Sequence, residues 1–184
     1  VRVLDQICRH TEPYLEGVGA VVVANANFAS LEILEDLADR QFYLRPSDAY
    51  FKTLARINSM LAGQGLSPAR AVKAGAFFNT EDILELLDAG IIEFSIVEKH
   101  MAKLWAPLFT NVAVSDVFAF SADDSISFFV RKDNPRLKES LNRFLREHRI
   151  GTLLGNIFYD RYFSDASRLK NPLNAEDREK FSKY

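Results

Sequence analysis

The sequence predicts an α/β fold, and three observations carry that prediction. A continuous apolar run, Ala20-Val21-Val22-Val23-Ala24, follows Gly17 and Gly19 and reads as a strand buried on both faces. From Leu31 to Val114, short strand-like runs alternate with amphipathic helix-like segments, the pattern of a parallel-type sheet with right-handed crossovers. The stretch Gln41 to Arg56, QFYLRPSDAYFKTLAR, is a complete strand-turn-helix unit in miniature.

Each element has a local justification. Val1 to Tyr14 is weakly patterned and interrupted by Pro13, and Asn25 to Ser30 reads as a loop. Leu31 to Leu37 is a short apolar-acidic helix or turn leading to the strand Phe42-Tyr43-Leu44. After the turn Arg45-Pro46-Ser47-Asp48, a helix carries Phe51, Leu54, Ile57, Met60 and Leu61 on one face and stops at Gly63 and Gly65. Ala69 to Lys73 is a short strand. Thr80 is expected to cap a helix with Ile83, Leu84, Leu86 and Leu87 inside it, ended by Gly90.

Ile91 to Val97 reads as a strand, Lys99 to Leu108 as a helix burying Leu104 and Trp105, and Val112 to Val114 as a further strand. Ser125 to Arg131 is another strand. Asn134-Pro135 opens a helix in the preferred way, with Leu137, Leu141, Phe144 and Leu145 as its buried face. A second helix runs from about Thr152 to Phe163, before a polar linker from Ser164 to Asn174 and a charged segment to Tyr184.

With 184 residues, 48% of them hydrophobic and 26% charged, the chain is long enough for a sizeable core. A net charge of −2 supplies no basic excess to neutralise phosphates, which argues against nucleic acid as a partner. Cys8 is the sole cysteine, so neither an intrachain disulfide nor a cysteine metal cluster is available. His10, His100 and His148 lack metal-ligand spacing, and no cofactor is expected. No apolar run is long enough to span a bilayer, and the stretch that begins at Val1 lacks the charged and apolar regions expected of a signal peptide.

The turn at residues 45–48 is the strongest candidate for a ligand contact. In a parallel sheet it lies at the carboxyl edge, where ligands bind, and a helix N-terminus there offers N–H donors to an anion. Ser47 and Asp48 are equally ordinary caps for the helix that follows, and Arg45 is available to pair with an anion. Tyr50 lines either the cleft or, at helical spacing, the core.

Together, several stretches resemble the family 3 periplasmic solute-binding domain, amino-acid-binding type. They include Thr11-Glu12-Pro13-Tyr14, the strand Gly19 to Asn25, Leu34-Glu35-Asp36-Leu37-Ala38, the turn Tyr43 to Tyr50, Asp82 to Gly90 and Val97-Glu98-Lys99-His100. Val130-Arg131-Lys132-Asp133-Asn134-Pro135-Arg136-Leu137 and Gly151-Thr152-Leu153-Leu154-Gly155-Asn156 complete the set. The last stretch, ahead of an aromatic-rich helix, is similar to the version fused to lytic transglycosylases of the membrane-bound F type.

The resemblance implies a type II periplasmic-binding-protein-like fold, with one complete lobe and an incomplete second lobe. Residues 1–25 would be the crossover entering lobe two, 26–116 lobe two, 117–165 the return to lobe one, and 166–184 a linker toward an absent transglycosylase domain. It further implies that Ser47 and Asp48 hold a ligand carboxylate, that Glu98 grips an α-amino group, and that Tyr14 faces the cleft. Asp48 would repel an anionic group, and Glu98 is also explicable as an acid favoured at a helix start.

The incomplete lobe is expected to leave apolar surface for oligomerisation, a swapped element or an atypical arrangement. The pair Glu139-Ser140 mimics the catalytic motif of lytic transglycosylases, but it lies on a polar helix face without the segment that should follow. The expected role is therefore noncatalytic. It is a periplasmic module, tethered to a bacterial membrane in a longer protein, that senses an amino acid or small cell-wall peptide and regulates an attached transglycosylase. The alternatives are a free-standing amino-acid receptor of an ABC transporter and a degenerate structural or protein-interaction module.

Overall fold

Among the described residues, five strands form the main sheet in the order Arg70–Lys73, Gln41–Leu44, Phe94–Glu98, Ala20–Asn25 and Val112–Phe120, and two more, Cys8–Glu16 and Ser125–Arg131, form a separate antiparallel ribbon. The computed structural model describes residues 6–28, 31–46, 48–120 and 125–164. The main-sheet strands are β2 (Ala20–Asn25), β3 (Gln41–Leu44), β4 (Arg70–Lys73), β5 (Phe94–Glu98) and β6 (Val112–Phe120). The ribbon pairs β1 (Cys8–Glu16) with β7 (Ser125–Arg131). Helices α1 (Asp48–Gly63) and α2 (Thr80–Asp88) connect β3 to β4 and β4 to β5, and α3 (Lys99–Trp105) follows β5. The chain then adds α4 (Pro135–His148) and α5 (Leu153–Tyr159) after the ribbon.

The pairing of β3 with both β4 and β5 is parallel, as the alternation of strands and helices predicts. The β-branched strand β2 runs antiparallel to both β5 and β6, so the sheet is mixed. Helices cover both faces, which is why β2 carries no polar residue on either side until Asn25. One core packs Phe42, Phe94, Ile57 and Leu61 on the α1 side, each fully buried. The other packs Val21, Val23, Ile83, Leu84 and Leu87 on the α2 side. Gly90 ends α2 in the left-handed region at φ +69°, which a glycine adopts without strain.

Several elements differ from the sequence expectation, each for a local reason. The N-terminal stretch is a strand despite Pro13, because the ribbon register shifts on either side of that residue and a bulge accommodates the missing donor. Strand β6 runs on to Phe120, and its register slips between the partners of Val21 and Val23. There the Ser115 hydroxyl accepts from Phe118 N at 2.9 Å, satisfying backbone that the ladder leaves. The expected helix to Leu108 is α3 up to Trp105 followed by a 3-10 turn, Ala106–Leu108, entered at Pro107.

The amphipathic helix at residues 135–148 forms as expected, with Asn134 accepting from Leu137 N at 3.3 Å. Its anticipated buried face is buried only in part. Leu145 is enclosed, whereas Leu137 and Phe144 are about half exposed at 46% and 55%. The helix is fixed to β1 by polar contacts instead: Asn142 Oδ1 accepts from Glu12 N at 2.8 Å, and Arg146 forks onto the Glu12 carboxylate at 2.7 and 3.0 Å. Gly155 lets α5 turn back tightly on α4, since a Cβ there would meet the Arg149 carbonyl oxygen at 1.9 Å. The linker expected after Ser164 lies outside the described residues.

Candidate functional site

The strand order reverses between β3 and β5: the connection from β3 leads to the β4 edge, while β5 lies toward β2 and β6. In an open α/β sheet, the crevice beyond the carboxyl ends at such a point is where ligands bind. A cavity of about 520 Å³ opens there. One wall comes from the sheet unit, through Arg45, Tyr50, Thr80 and Glu98; Ser125 and Ile126, at the start of β7, also line the cavity. Gly19, between β1 and β2, is part of the lining, and its carbonyl accepts from Lys99 N at 2.7 Å.

Glu98 is the hub. Strands β3 and β5 align Tyr43 with Ser95, so Arg45 and Glu98 emerge side by side from neighbouring carboxyl ends. Arg45 Nη2 donates to Glu98 Oε1 at 2.7 Å, and Tyr50 Oη donates to the same oxygen. Thr80 Oγ1 donates to Oε2 at 2.9 Å. Arg45 Nη2 also contacts the Tyr50 hydroxyl, and its guanidinium lies 5.3 Å from the centre of the Tyr50 ring, within cation-π range.

The electrostatics follow from this packing. Burial pushes the Glu98 carboxyl upward, but the bonds from Tyr50, its own backbone N–H, Arg45 and Thr80 outweigh it and hold the group below the usual carboxylate range. Burial, then the neighbouring Glu98 carboxylate, raises the Tyr50 phenol. Burial lowers His100, which lines the cavity with its Nδ1 buried and without a hydrogen-bond partner among the described residues. Arg45 Nε is likewise buried and has no partner among them.

The residues singled out from sequence fare differently. Arg45, Tyr50 and Glu98 come together in one hydrogen-bonded cluster. Ser47 lies outside the described residues, and Asp48 opens α1. Tyr14 sits on β1 with its ring centroid 5.2 Å from that of Phe128 and does not line the cavity. Tyr50 is only 4% exposed, so it serves the core with its ring and the cavity with its hydroxyl. Glu139 and Ser140 are exposed on α4 and are not among the residues lining the cavity.

Thr80, which the sequence assigns to the helix cap, is instead part of the cluster. Asn79 is the cap: its side chain accepts from Asp82 N at 2.9 Å, and the Asp82 carboxylate accepts from Asn79 N at 2.8 Å. That reciprocal box frees the Thr80 hydroxyl for Glu98. The Asn79-x-x-Asp82 spacing was the available signal. Among the described residues no cluster of His, Cys, Asp and Glu is arranged to hold a metal ion.

No family model and no curated protein matches the chain. Solved structures do. An ancestral arginine-binding protein bound to glutamine superposes with a TM-score of 0.62 at 18% identity, over 90% of this chain and 68% of the other. An amino acid ABC transporter substrate-binding protein from Streptococcus pneumoniae, bound to L-arginine, gives 0.65 at 16% identity, over 91% and 63%. An ancestral amino acid-binding protein, a precursor of cyclohexadienyl dehydratase, gives 0.62 at 14% identity, over 89% and 64%. The chain thus has the periplasmic amino-acid-binding-protein fold, as predicted, and spans roughly two thirds of the length of these proteins.

Proposed function

We propose that this chain is a noncatalytic solute-binding module that takes an amino acid or small peptide into the cavity at the carboxyl edge of its sheet. The observation that carries this reading is the convergence of Arg45, Tyr50, Thr80 and Glu98 on one cavity wall, from four separate segments of the chain. A cavity of about 520 Å³ suits a ligand of that size. The substrate-binding proteins that share the fold support the same ligand class. A lining drawn from both the sheet unit and the ribbon suits binding by closure around the ligand.

The division into a lobe at 26–116 and a returning lobe at 117–165, entered by 1–25 and left by 166–184, belongs to this proposal. So does a periplasmic location, with a membrane tether in a longer parent. The stretch Gly151 to Asn156 favours a sensing module that regulates an attached lytic transglycosylase. The ABC-transporter proteins among the structural neighbours favour a transport receptor. Reading the gene beyond Tyr184 for a transglycosylase domain separates the two.

A thermal-shift screen of L-amino acids and muropeptides tests the binding reading. At least one is expected to stabilise the chain, and Glu98→Ala should abolish that shift. Failure of the whole panel to stabilise the folded protein would sink it.

A further inference from the structure

The cavity wall contains a carboxylate whose cation position is already filled. Glu98 Oε1 accepts from the Arg45 and Tyr50 side chains, and Oε2 from Thr80, so side-chain donors alone take up most of the roughly four lone-pair sites of the group. The guanidinium is not a loose surface contact. Strand register brings it to Glu98, the Tyr50 ring lies under it, and Tyr50 is anchored in the core by α1. Among the described residues lining the cavity, the charged side chains are Arg45, a cation, and Glu81 and Glu98, both acids.

We propose that Arg45 determines the specificity of this cleft. Its guanidinium is a built-in occupant of the Glu98 cation site, so the cleft excludes ligands that bring their own ammonium or guanidinium group to that carboxylate. An incoming cation would have to displace a partly buried ion pair held at 2.7 Å and would meet a like charge beside it. The favoured ligand therefore presents a neutral or anionic group to this wall. Taking Arg45 away leaves a half-buried carboxylate with two hydroxyl donors and no counter-ion, a receptor for alkylguanidinium groups.

The inference deepens the solute-binding reading, but its test needs no natural ligand. Ethylguanidinium, the end of an arginine side chain, is titrated into the wild-type chain, Arg45→Ala, Arg45→Gln and Arg45→Ala/Glu98→Gln, each checked for fold by circular dichroism. Thermal stabilisation and amide chemical shifts give the readout. Saturable binding is expected to at least one of the folded single variants, at least about tenfold tighter than to wild type, and lost in the double variant.

Equal binding to wild type, binding that survives Glu98→Gln, or no binding to the folded single variants would overturn the proposal. Should ethylguanidinium behave as expected while no amino acid or peptide binds wild type, the role of Arg45 stands and the solute-binding reading fails.

Discussion

The five-stranded unit and the ribbon with its two helices are built from similar sequence patterns but end in different states. In the first, amphipathic helices meet a sheet, and Phe42, Phe94, Leu44 and Ile57 lose all solvent contact. In the second, α4 and α5 carry equally regular apolar stripes, yet Phe128, Phe129, Phe144 and Leu153 remain 46–78% exposed. A helical stripe specifies that a face is to be buried. It does not supply the surface that buries it. The candidate site draws its lining from both regions, with its hydrogen-bonded wall on the closed side.

The largest expected effect tests that contrast directly. Phe94→Ala should cost about 3–5 kcal/mol of unfolding free energy, because it empties a closed core. Leu153→Ala, on the open helix, should change stability by no more than about 0.5 kcal/mol. Urea unfolding measures both, and comparable losses would erase the distinction between the two regions.

Next in size is the Glu98 cluster. Glu98→Gln is expected to destabilise by about 1–2 kcal/mol, less than a fully buried pair would lose because Arg45 and Glu98 retain partial solvent contact. Asn79→Ala should cost about 1 kcal/mol through the lost cap. It should also weaken ligand binding by loosening Thr80, whereas Asn134→Ala, a cap on the open side, should lower stability without touching binding. A binding loss in Asn134→Ala would contradict the assignment of the working wall to the sheet unit.

The pH profile gives a smaller effect with a definite sign. Burial holds His100 below its ordinary value of 6.5, so the unfolded chain takes up that proton first and stability declines as pH falls through 6.5. Glu98 lies below its ordinary 4.5, so its contribution is intact above that value and is lost as pH falls through the folded pKa. Thermal melts from pH 8 to 3.5 should show both declines. His100→Asn should flatten the first, and Glu98→Gln the second.

What the sequence disclosed follows the same division. The alternation from Leu31 to Val114 and the β-branched run at residues 20–24 made the sheet unit legible, because period and burial agree there. The turn at residues 45–48 pointed to the edge of the sheet where the cavity opens, since the end of a parallel strand is a backbone property. The cluster itself was less visible. Arg45 and Glu98 are 53 residues apart, and only the register of β3 against β5 makes them neighbours. Thr80 was hidden by a one-residue shift in the cap. Pro13 hid β1 because a bulge, not a break, absorbs it. The exposed face of α4 could not be read from its stripe, as burial is a property of the partner.

The central claim is that a ligand binds at the Arg45–Tyr50–Thr80–Glu98 wall. Its most direct test is a heteronuclear NMR titration of the labelled chain with the amino acids and muropeptides of the screen. Saturable amide shifts are expected at Gly19, Tyr50, Thr80, Glu98 and Ser125, which line the cavity. Shifts confined to the exposed helices α4 and α5, or none with any ligand, would contradict it.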